Sequence, residues 1–208
     1  KLVLVIMVFS CATAFGVPDI EFSPGDGTPG NWHYDGVDTF SFSQDINIDA
    51  IQGAYADALF NEYVFLPNLT LVSYVPTVPG SGIGVIQAVG VVEIKDASDN
   101  ILLSGTLANG TFIAVSATSF FFPEIQADIH VDFVNNLIGS AYLDTISVGM
   151  YLNFSLTLQA SENFDTIIQD GLQSSDGFSG SMTVIPEPVT MALRSEEHTS
   201  ELQSPNTI

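Results

Sequence analysis

Hydrophobic and polar residues alternate strictly in three segments of the chain, residues 40–50, 125–133 and 150–158. A period of two is typical of a β-strand that buries one face, so each segment predicts a long strand of an antiparallel sheet. The hydrophobic positions, which we expect to face the core, are Phe40, Phe42, Ile46, Ile48, Ala50, Ile125, Ala127, Ile129, Val131, Phe133, Met150, Leu152, Phe154, Leu156 and Leu158.

Shorter β-rich segments predict further strands, at residues 63–66, 69–75, 85–94, 101–107, 111–122 and 177–184. The polar turn at residues 96–100 predicts a hairpin between two of them. The pair Asn109-Gly110 predicts a second hairpin, because Asn-Gly is a strong short-range turn signal.

Two stretches rich in glycine and proline, residues 19–38 and 76–84, predict loops. The first contains Trp32 and Tyr34, whose large rings bury readily. We therefore expect both rings to anchor that loop on the core.

The fold class predicted from these elements is all-β, with at most one or two short helices, at residues 136–147 and within 162–175. We predict an antiparallel β-sandwich over residues 37–184, with a barrel as the alternative. Residues 15–183 have the length of one domain and can bury a sizeable core.

The charge of the chain is strongly negative, with 24 acidic residues against 3 lysines and arginines. Between residues 15 and 193 the only lysine or arginine is Lys95. Such a surface repels nucleic acid and anionic lipid, so we exclude both as partners of the folded part. A solvated surface in a saline habitat accounts for this charge, because salt screens the self-repulsion.

The polar face of the segment 125–133 aligns Asp128, His130 and Asp132 at alternate positions. Two carboxylates and an imidazole can bind a metal or act as acid and base. The two aspartates are about 13 Å apart along a strand, however, so one ion would need ligands from a partner strand as well. A solvated strand face is the alternative.

The turn at residues 96–100 places the carboxylates of Asp96 and Asp99 at a spacing similar to that of a calcium loop. It lacks the glycine and the distal glutamate of an EF-hand, so a plain hairpin turn is the alternative. Calcium is thus the only cofactor that the sequence suggests. The sequence contains no G-x-S-x-G, H-E-x-x-H or P-loop motif, and we predict that the protein is not an enzyme.

The N-terminal residues have the features of a secretory signal peptide. Lys1 precedes the apolar residues 2–9, and the small-residue site Ala12-Thr13-Ala14 follows. We expect cleavage after Ala14, which removes the only cysteine, Cys11. Lipid attachment to Cys11 is the alternative.

The segment after the last predicted strand contains Pro186, Glu187, Pro188 and Thr190. The prolines fix φ and remove backbone donors, so the segment is expected to be extended and unpaired. These four residues match the start of the PEP-CTERM sorting signal of exported Gram-negative bacterial proteins, which the segment 184–193 resembles. The segment departs from the family at two positions: Ile185 stands where valine is usual, and Val189 where a small residue is usual.

The resemblance implies processing by exosortase, a membrane Cys protease, and transient contact with the membrane through a C-terminal helix that residues 191–193 would begin. A plain proline-rich linker is the alternative. Residues 194–208 resemble the translation of a sequencing adapter, and we leave them out of the fold prediction. The predicted organisation is a signal peptide (1–14), one exported domain (15–183), the sorting segment (184–193) and this tail.

The function expected from these features is that of an exported, non-catalytic protein of the cell surface or extracellular matrix, structural or adhesive in type. Its partners would be exosortase and exopolysaccharide or other matrix components. One alternative is a carbohydrate-binding module that depends on calcium. A hydrolase is another, and would require two carboxylates about 5–9.5 Å apart in a cleft.

Overall fold

The computed structural model describes residues 18–24, 32–43, 46–52, 57–114, 123–160, 162–170 and 177–185. Its elements are β1 (Asp19–Pro24), β2 (Trp32–Tyr34), β3 (Thr39–Phe42), β4 (Ile46–Gln52), β5 (Tyr63–Phe65), β6 (Asn68–Val78), β7 (Ser81–Val89), β8 (Val91–Lys95), β9 (Ile101–Leu107), β10 (Gly110–Ala114), β11 (Glu124–Val134), a 3-10 turn (Leu143–Thr145), β12 (Tyr151–Leu158), α1 (Phe164–Asp170) and β13 (Phe178–Val184). The prediction of an antiparallel, nearly all-β protein is confirmed.

Eight of the strands close into a barrel, in the order β11, β12, β13, β1, β4, β5, β8, β9 and back to β11. The predicted sandwich is therefore wrong. A sandwich needs two separate sheets with their own edges, whereas here β11 pairs with β12 on one side and with β9 on the other. Closure leaves no free edge in this ring.

The other five strands, β2, β3, β6, β7 and β10, extend the same sheet from the first half of β11, and we call them the upper sheet. They arise because long strands bend and pass from the barrel into this extension. The pairing of β5 with β8 continues, after Leu66 and Pro67, as the pairing of β6 with β7, with the register shifted by one residue. In the same way β8 on β9 continues as β7 on β10.

The hairpin predicted at Asn109-Gly110 is wrong. β9 and β10 lie one after the other along the same edge of β11, where Leu107 pairs with Ile129 and Thr111 with Gln126. The two residues between them form a bulge that bends one long strand. A Cβ on Gly110 would lie 2.5 Å from the carbonyl oxygen of Gln126, so this close approach of two backbones requires glycine.

Phe164 of α1 closes the upper end of the core. Its ring lies 4.3 Å from that of Phe112 and 5.9 Å from that of Phe40, measured between centroids. Asp165 accepts hydrogen bonds from the hydroxyl of Tyr74 and the backbone N–H of Gly80, both at 2.8 Å. These contacts fix the β6–β7 hairpin on the helix. Neither helical segment in the described part of the chain is long and apolar enough to cross a membrane.

The loops predicted at residues 19–38 and 76–84 are largely wrong. The first contains β1 and β2, and in the second only Pro79 and Gly80 separate β6 from β7. The expectation that Trp32 and Tyr34 anchor on the core is confirmed, since both are buried. The Trp32 indole N–H donates to the carbonyl of Gln159 at 2.8 Å. The prolines and glycines of these two stretches lie at or near turns, whereas pairing with other strands makes the residues around them β-strands.

Of the predicted inward positions in the three alternating segments, all but Phe133 are buried or partly buried. Ala50, however, lies on the outer face beside Glu21, because Asp49 is an extra residue in the pairing of β4 with β1. Phe133 is 42% exposed because Asp132 is an extra residue in the pairing of β11 with β9, which reverses the alternation. The short helix predicted at residues 136–147 is reduced to the 3-10 turn, and Leu137 faces solvent. The predicted strand 111–122 is β10 as far as Ala114, and its remainder lies outside the described residues.

Two loops, residues 57–61 and 136–146, close the lower end of the barrel. Asp57 in the first loop bonds to both. One Oδ of the buried Asp57 accepts the N–H of Leu59, and the other accepts the N–H of Tyr142, both at 2.9 Å. The hydroxyl of Tyr142 donates to the carbonyl of Met182 on β13 at 2.9 Å. One carboxylate thus joins two loops that are distant in sequence.

Asp57→Ala is expected to lower the free energy of unfolding by about 2–5 kcal/mol, because it leaves two buried N–H groups without an acceptor. Urea unfolding followed by circular dichroism measures the change. Asp144→Ala, which removes an exposed carboxylate bonded to Asn136, is the control and should cost less than half as much. Equal losses in the two variants would contradict the role of Asp57.

Candidate functional site

A groove with a volume of about 400 Å³ lies on the outer face of four barrel strands, β12, β13, β1 and β4, and we call it the outer groove. Polar side chains line it because the hydrophobic residues of these strands point into the barrel, so that the alternate positions face out. Its lining comprises Asp19, Glu21, Phe22, Ser23, Asp49, Ser155, Thr157, Ser179, Gly180 and Ser181.

The side chains of the outer groove form rows across the strands. Glu21 pairs with Ser181, and Ser181 pairs with Ser155. Thr157 and Ser179 form the next row. These rows present carboxylate and hydroxyl oxygens, together with hydroxyl donors, to one concave surface. Such a set can hydrogen-bond a polyhydroxylated ligand.

Two carboxylates of the outer groove are held by neighbouring hydroxyls. Asp49 is an extra residue in the pairing of β4 with β1, and it accepts a hydrogen bond from Ser23. Asp19 accepts a hydrogen bond from Thr183 at 2.8 Å. Partial burial raises the pKa of the Asp19 carboxyl; the bond from Thr183 opposes this rise, and the charge of Glu21 adds to it.

The floor of the outer groove depends on a glycine. A Cβ on Gly180 would lie 2.3 Å from the Phe22 ring, so only glycine lets that ring cross β13. Phe22 then stacks on Phe154 inside the barrel with 6.2 Å between ring centroids. The missing side chain at Gly180 thus makes room for the Phe22 ring on the inner side of β13.

Asp128, His130 and Asp132 lie on the outer face of β11, but only the last two are in contact. Asp132 accepts hydrogen bonds from Thr106 at 2.6 Å and, on its other oxygen, contacts Nδ1 of His130 at 2.9 Å. The bond from Thr106 and then that from His130 lower the pKa of Asp132. Asp128 is exposed and pairs across the sheet with Asn153. This row resembles a solvated strand face more than a metal site.

Asp96 organises the turn between β8 and β9. One of its oxygens accepts the N–H groups of Ser98 and Asn100, and the other accepts the Asn100 side-chain amide, all within 2.9 Å. These bonds, the side-chain amide first, lower the pKa of Asp96. Asp99 takes a positive φ of 62° in the same turn. The plain hairpin turn accounts for both residues.

Within the described ranges, no group of three or more histidine, cysteine, aspartate or glutamate residues is arranged to hold a metal ion. Lys95 is paired with Glu93 at 2.7 Å and lies over the Phe65 ring. Two predicted sites lie outside the described part of the chain: the sorting segment with Pro186, Glu187, Pro188 and Thr190, and the signal cleavage site with Ala12 and Ala14.

The outer groove was missed by the sequence prediction. Its hydroxyls occupy the polar positions of β12 and β13, where serine and threonine are ordinary outward-facing residues. Two of its acids, Asp19 and Glu21, belong to β1, which the sequence predicted as a loop. The signal that was present is the serine repeat Ser179-Gly180-Ser181 beside Ser155 and Thr157, but only the register brings these residues together.

Comparison of the chain with protein-family models, with curated proteins and with solved structures gave no match.

Asp19→Asn is expected to stabilise the protein at pH 7, by about 0.5 kcal/mol or less, as is usual at partly exposed sites. The folded pKa of Asp19 lies above the ordinary value of 3.8, so stability falls as pH rises between the two values and stays lowered above them. The gain should therefore vanish near pH 3.8 and below. Urea unfolding at several pH values measures it.

Asp128→Asn is the control for this measurement, because it removes one exposed negative charge from the same acidic surface. The contribution of burial at Asp19 is the difference between the two variants. A larger gain for Asp128→Asn at pH 7 would contradict the assignment.

The melting temperature is expected to rise between about 0.05 and 0.5 M NaCl, because the Debye length falls from about 14 to about 4 Å and screens the acidic surface. Calcium, the cofactor that the sequence suggests, would raise it further if it bound the folded state alone. In the described residues, none of the four candidates Asp96, Asp99, Asp128 and Asp132 belongs to a group of three or more side chains that could hold a metal ion, whereas Ca²⁺ takes about six to eight oxygen ligands. We now expect equal melting temperatures in NaCl and CaCl₂ at matched ionic strength. A higher value in CaCl₂ would restore the calcium site.

Proposed function

We propose that the protein is an exported, non-catalytic component of the bacterial cell surface or extracellular matrix, structural or adhesive in type. The observation that carries this proposal is the position of Pro186, Glu187 and Pro188 relative to the fold. β13 is paired on both sides, with β12 as far as Val184 and with β1 as far as Thr183. The motif begins two residues later in the chain.

The residue between them, Ile185, donates its N–H to the carbonyl of Tyr151 at 3.3 Å and is partly exposed. The described fold thus extends up to the motif, and the prolines cannot continue the pairing because they lack an N–H. A processing enzyme that recognises the tripeptide would act directly beside the barrel, without unfolding it. This arrangement supports a sorting signal more than a linker between domains.

The barrel interior supports a non-catalytic role. It is filled by hydrophobic side chains from all eight strands, which include Phe22, Ile48, Val64, Ile94, Leu103, Ile129, Phe154 and Met182. A barrel of this size has room for packed side chains or for one small ligand, and here the side chains occupy the space. Partners would therefore meet the outer surface, as expected of a structural or adhesive protein.

Carbohydrate binding is the second candidate function, favoured by the outer groove. Its volume lies at the lower end of the range for small-molecule sites, about 300–1,000 Å³. Its rows of hydroxyls and carboxylates suit the hydroxyl groups of a neutral or basic sugar. The acidic lining disfavours an anionic polysaccharide at this place, because like charges repel.

Export and sorting can be tested by expressing residues 1–193 after a start methionine. A membrane helix and an arginine cluster, which follow the motif in the PEP-CTERM family, are added after residue 193. In a bacterium that contains exosortase, we expect loss of residues 1–14 and cleavage near residues 186–188. Intact-mass spectrometry of the exported protein measures both. A lipid on Cys11, or an uncleaved C-terminus, would contradict the corresponding half of the proposal.

Glu187→Ala should lower the rate of C-terminal cleavage by at least about tenfold. Glu162→Ala, which removes an exposed acid from a loop of the barrel, should leave that rate unchanged. The same fusion in a host without exosortase should remain uncut. Equal cleavage of both variants would show that the tripeptide is not the recognised feature.

A further inference from the structure

The upper sheet carries no aspartate, glutamate, lysine or arginine in any of its five strands. In the sequence, residues 63–92 form an uninterrupted stretch without such residues. The net charge of the chain is −21, so this segregation is unusual. The acids of the described strands belong to the barrel, on β1, β4, β8 and β11.

The outer side of the β6–β7 hairpin in this sheet is hydrophobic and exposed. Its exposed side chains, which we call the hairpin patch, are Val72, Val75, Val78, Ile83 and Val85. Val75 and Ile83 are direct cross-strand partners, and Val85 follows Ile83 on the same face. Contiguous exposed hydrophobic side chains of this kind mark interaction surfaces.

We propose that the hairpin patch binds the same patch of a second copy of this chain, giving a two-fold symmetric dimer. Two copies repel wherever their acidic surfaces meet, and the β6–β7 hairpin, which carries no charged side chain of its own, is the face on which they can approach at the lowest electrostatic cost. A two-fold contact uses one self-complementary surface twice, and a hydrophobic patch is complementary to itself. The proposal does not depend on the sorting signal.

The contact is a packing of faces and not an addition of strands. β3 pairs with β6 only at Leu69 and Thr70, so the rest of that edge has no neighbouring strand among the described residues. β6 itself contains Pro76, and its pairing with β7 has two register shifts, after Leu71 and after Pro76, which bend the strand. Prolines and bulges protect edges from pairing with another chain. The face beside them has no such protection.

The hairpin patch is held rigid from behind, which lowers the entropy cost of association. Tyr74, on the inner face of β6, packs against Phe112 and Phe164 with ring centroids 6.1 and 5.5 Å apart. Asp165 fixes the hairpin by its bonds to Tyr74 and Gly80. A second copy would therefore meet a preformed surface.

Sedimentation velocity of the purified chain tests the proposal. We expect a monomer–dimer equilibrium whose dissociation constant falls about tenfold between about 0.05 and 0.5 M NaCl, because salt screens the repulsion between two acidic copies and leaves hydrophobic contact intact. A contact made by ion pairs would weaken over the same range. A chain that stays monomeric at about 0.2 mM in both salts would overturn the proposal.

Val75→Glu should weaken the dimer more than about a hundredfold, because symmetry buries the new carboxylate twice. Val148→Glu is the matched control, since Val148 in a turn at the lower end of the barrel is also 63% exposed, as is Val75. Circular dichroism confirms that each variant is folded, and Ile83→Glu serves if Val75→Glu is not. Dimers of equal strength in the patch and control variants would overturn the proposal.

Discussion

The structure depends on one strand, β11, which satisfies three neighbours. Along one edge it pairs with β12 over residues 124–130, and along the other it pairs first with β10 and then with β9. The pairing with β9 closes the barrel, and the pairing with β10 attaches the upper sheet. Because buried backbone groups need hydrogen-bond partners, this arrangement fixes both parts at once. The bend at Ala108 and Asn109 is what allows a single long strand to follow β11 through both.

The closure divides the outer surface into two chemically different regions. The barrel strands carry the acids, and among them β1 and β4 contribute the carboxylates of the outer groove. The upper sheet carries none, and its hairpin presents valine and isoleucine to solvent. A uniform acidic surface would keep copies apart at every face, whereas this division leaves one face open to association. A surface for a polar ligand and a surface for self-contact would thus lie on different parts of the molecule.

The local alternation predicted the inward faces well, because the period of two is a property of each strand alone. Phe40, Ile48, Ile129 and Leu156 are buried wherever their strand is placed. Phe133 shows the limit of that argument. One extra residue, Asp132, reverses the face, and nothing in the sequence of β11 marks it, because the bulge is defined by the pairing with β9.

By itself, the sequence determined the all-β class, the inward positions of most strands, the burial of Trp32 and Tyr34 and the acidic charge. The tertiary structure decided that the sheet closes into a barrel, that Asn109 and Gly110 bend a strand and do not turn it, and that Asp19, Asp49 and Ser181 line one groove. The physical reason is the range of the interactions. Side-chain alternation and turn chemistry act over a few neighbouring residues, whereas closure and the groove depend on pairings such as β1 with β13, more than 150 positions apart in the chain.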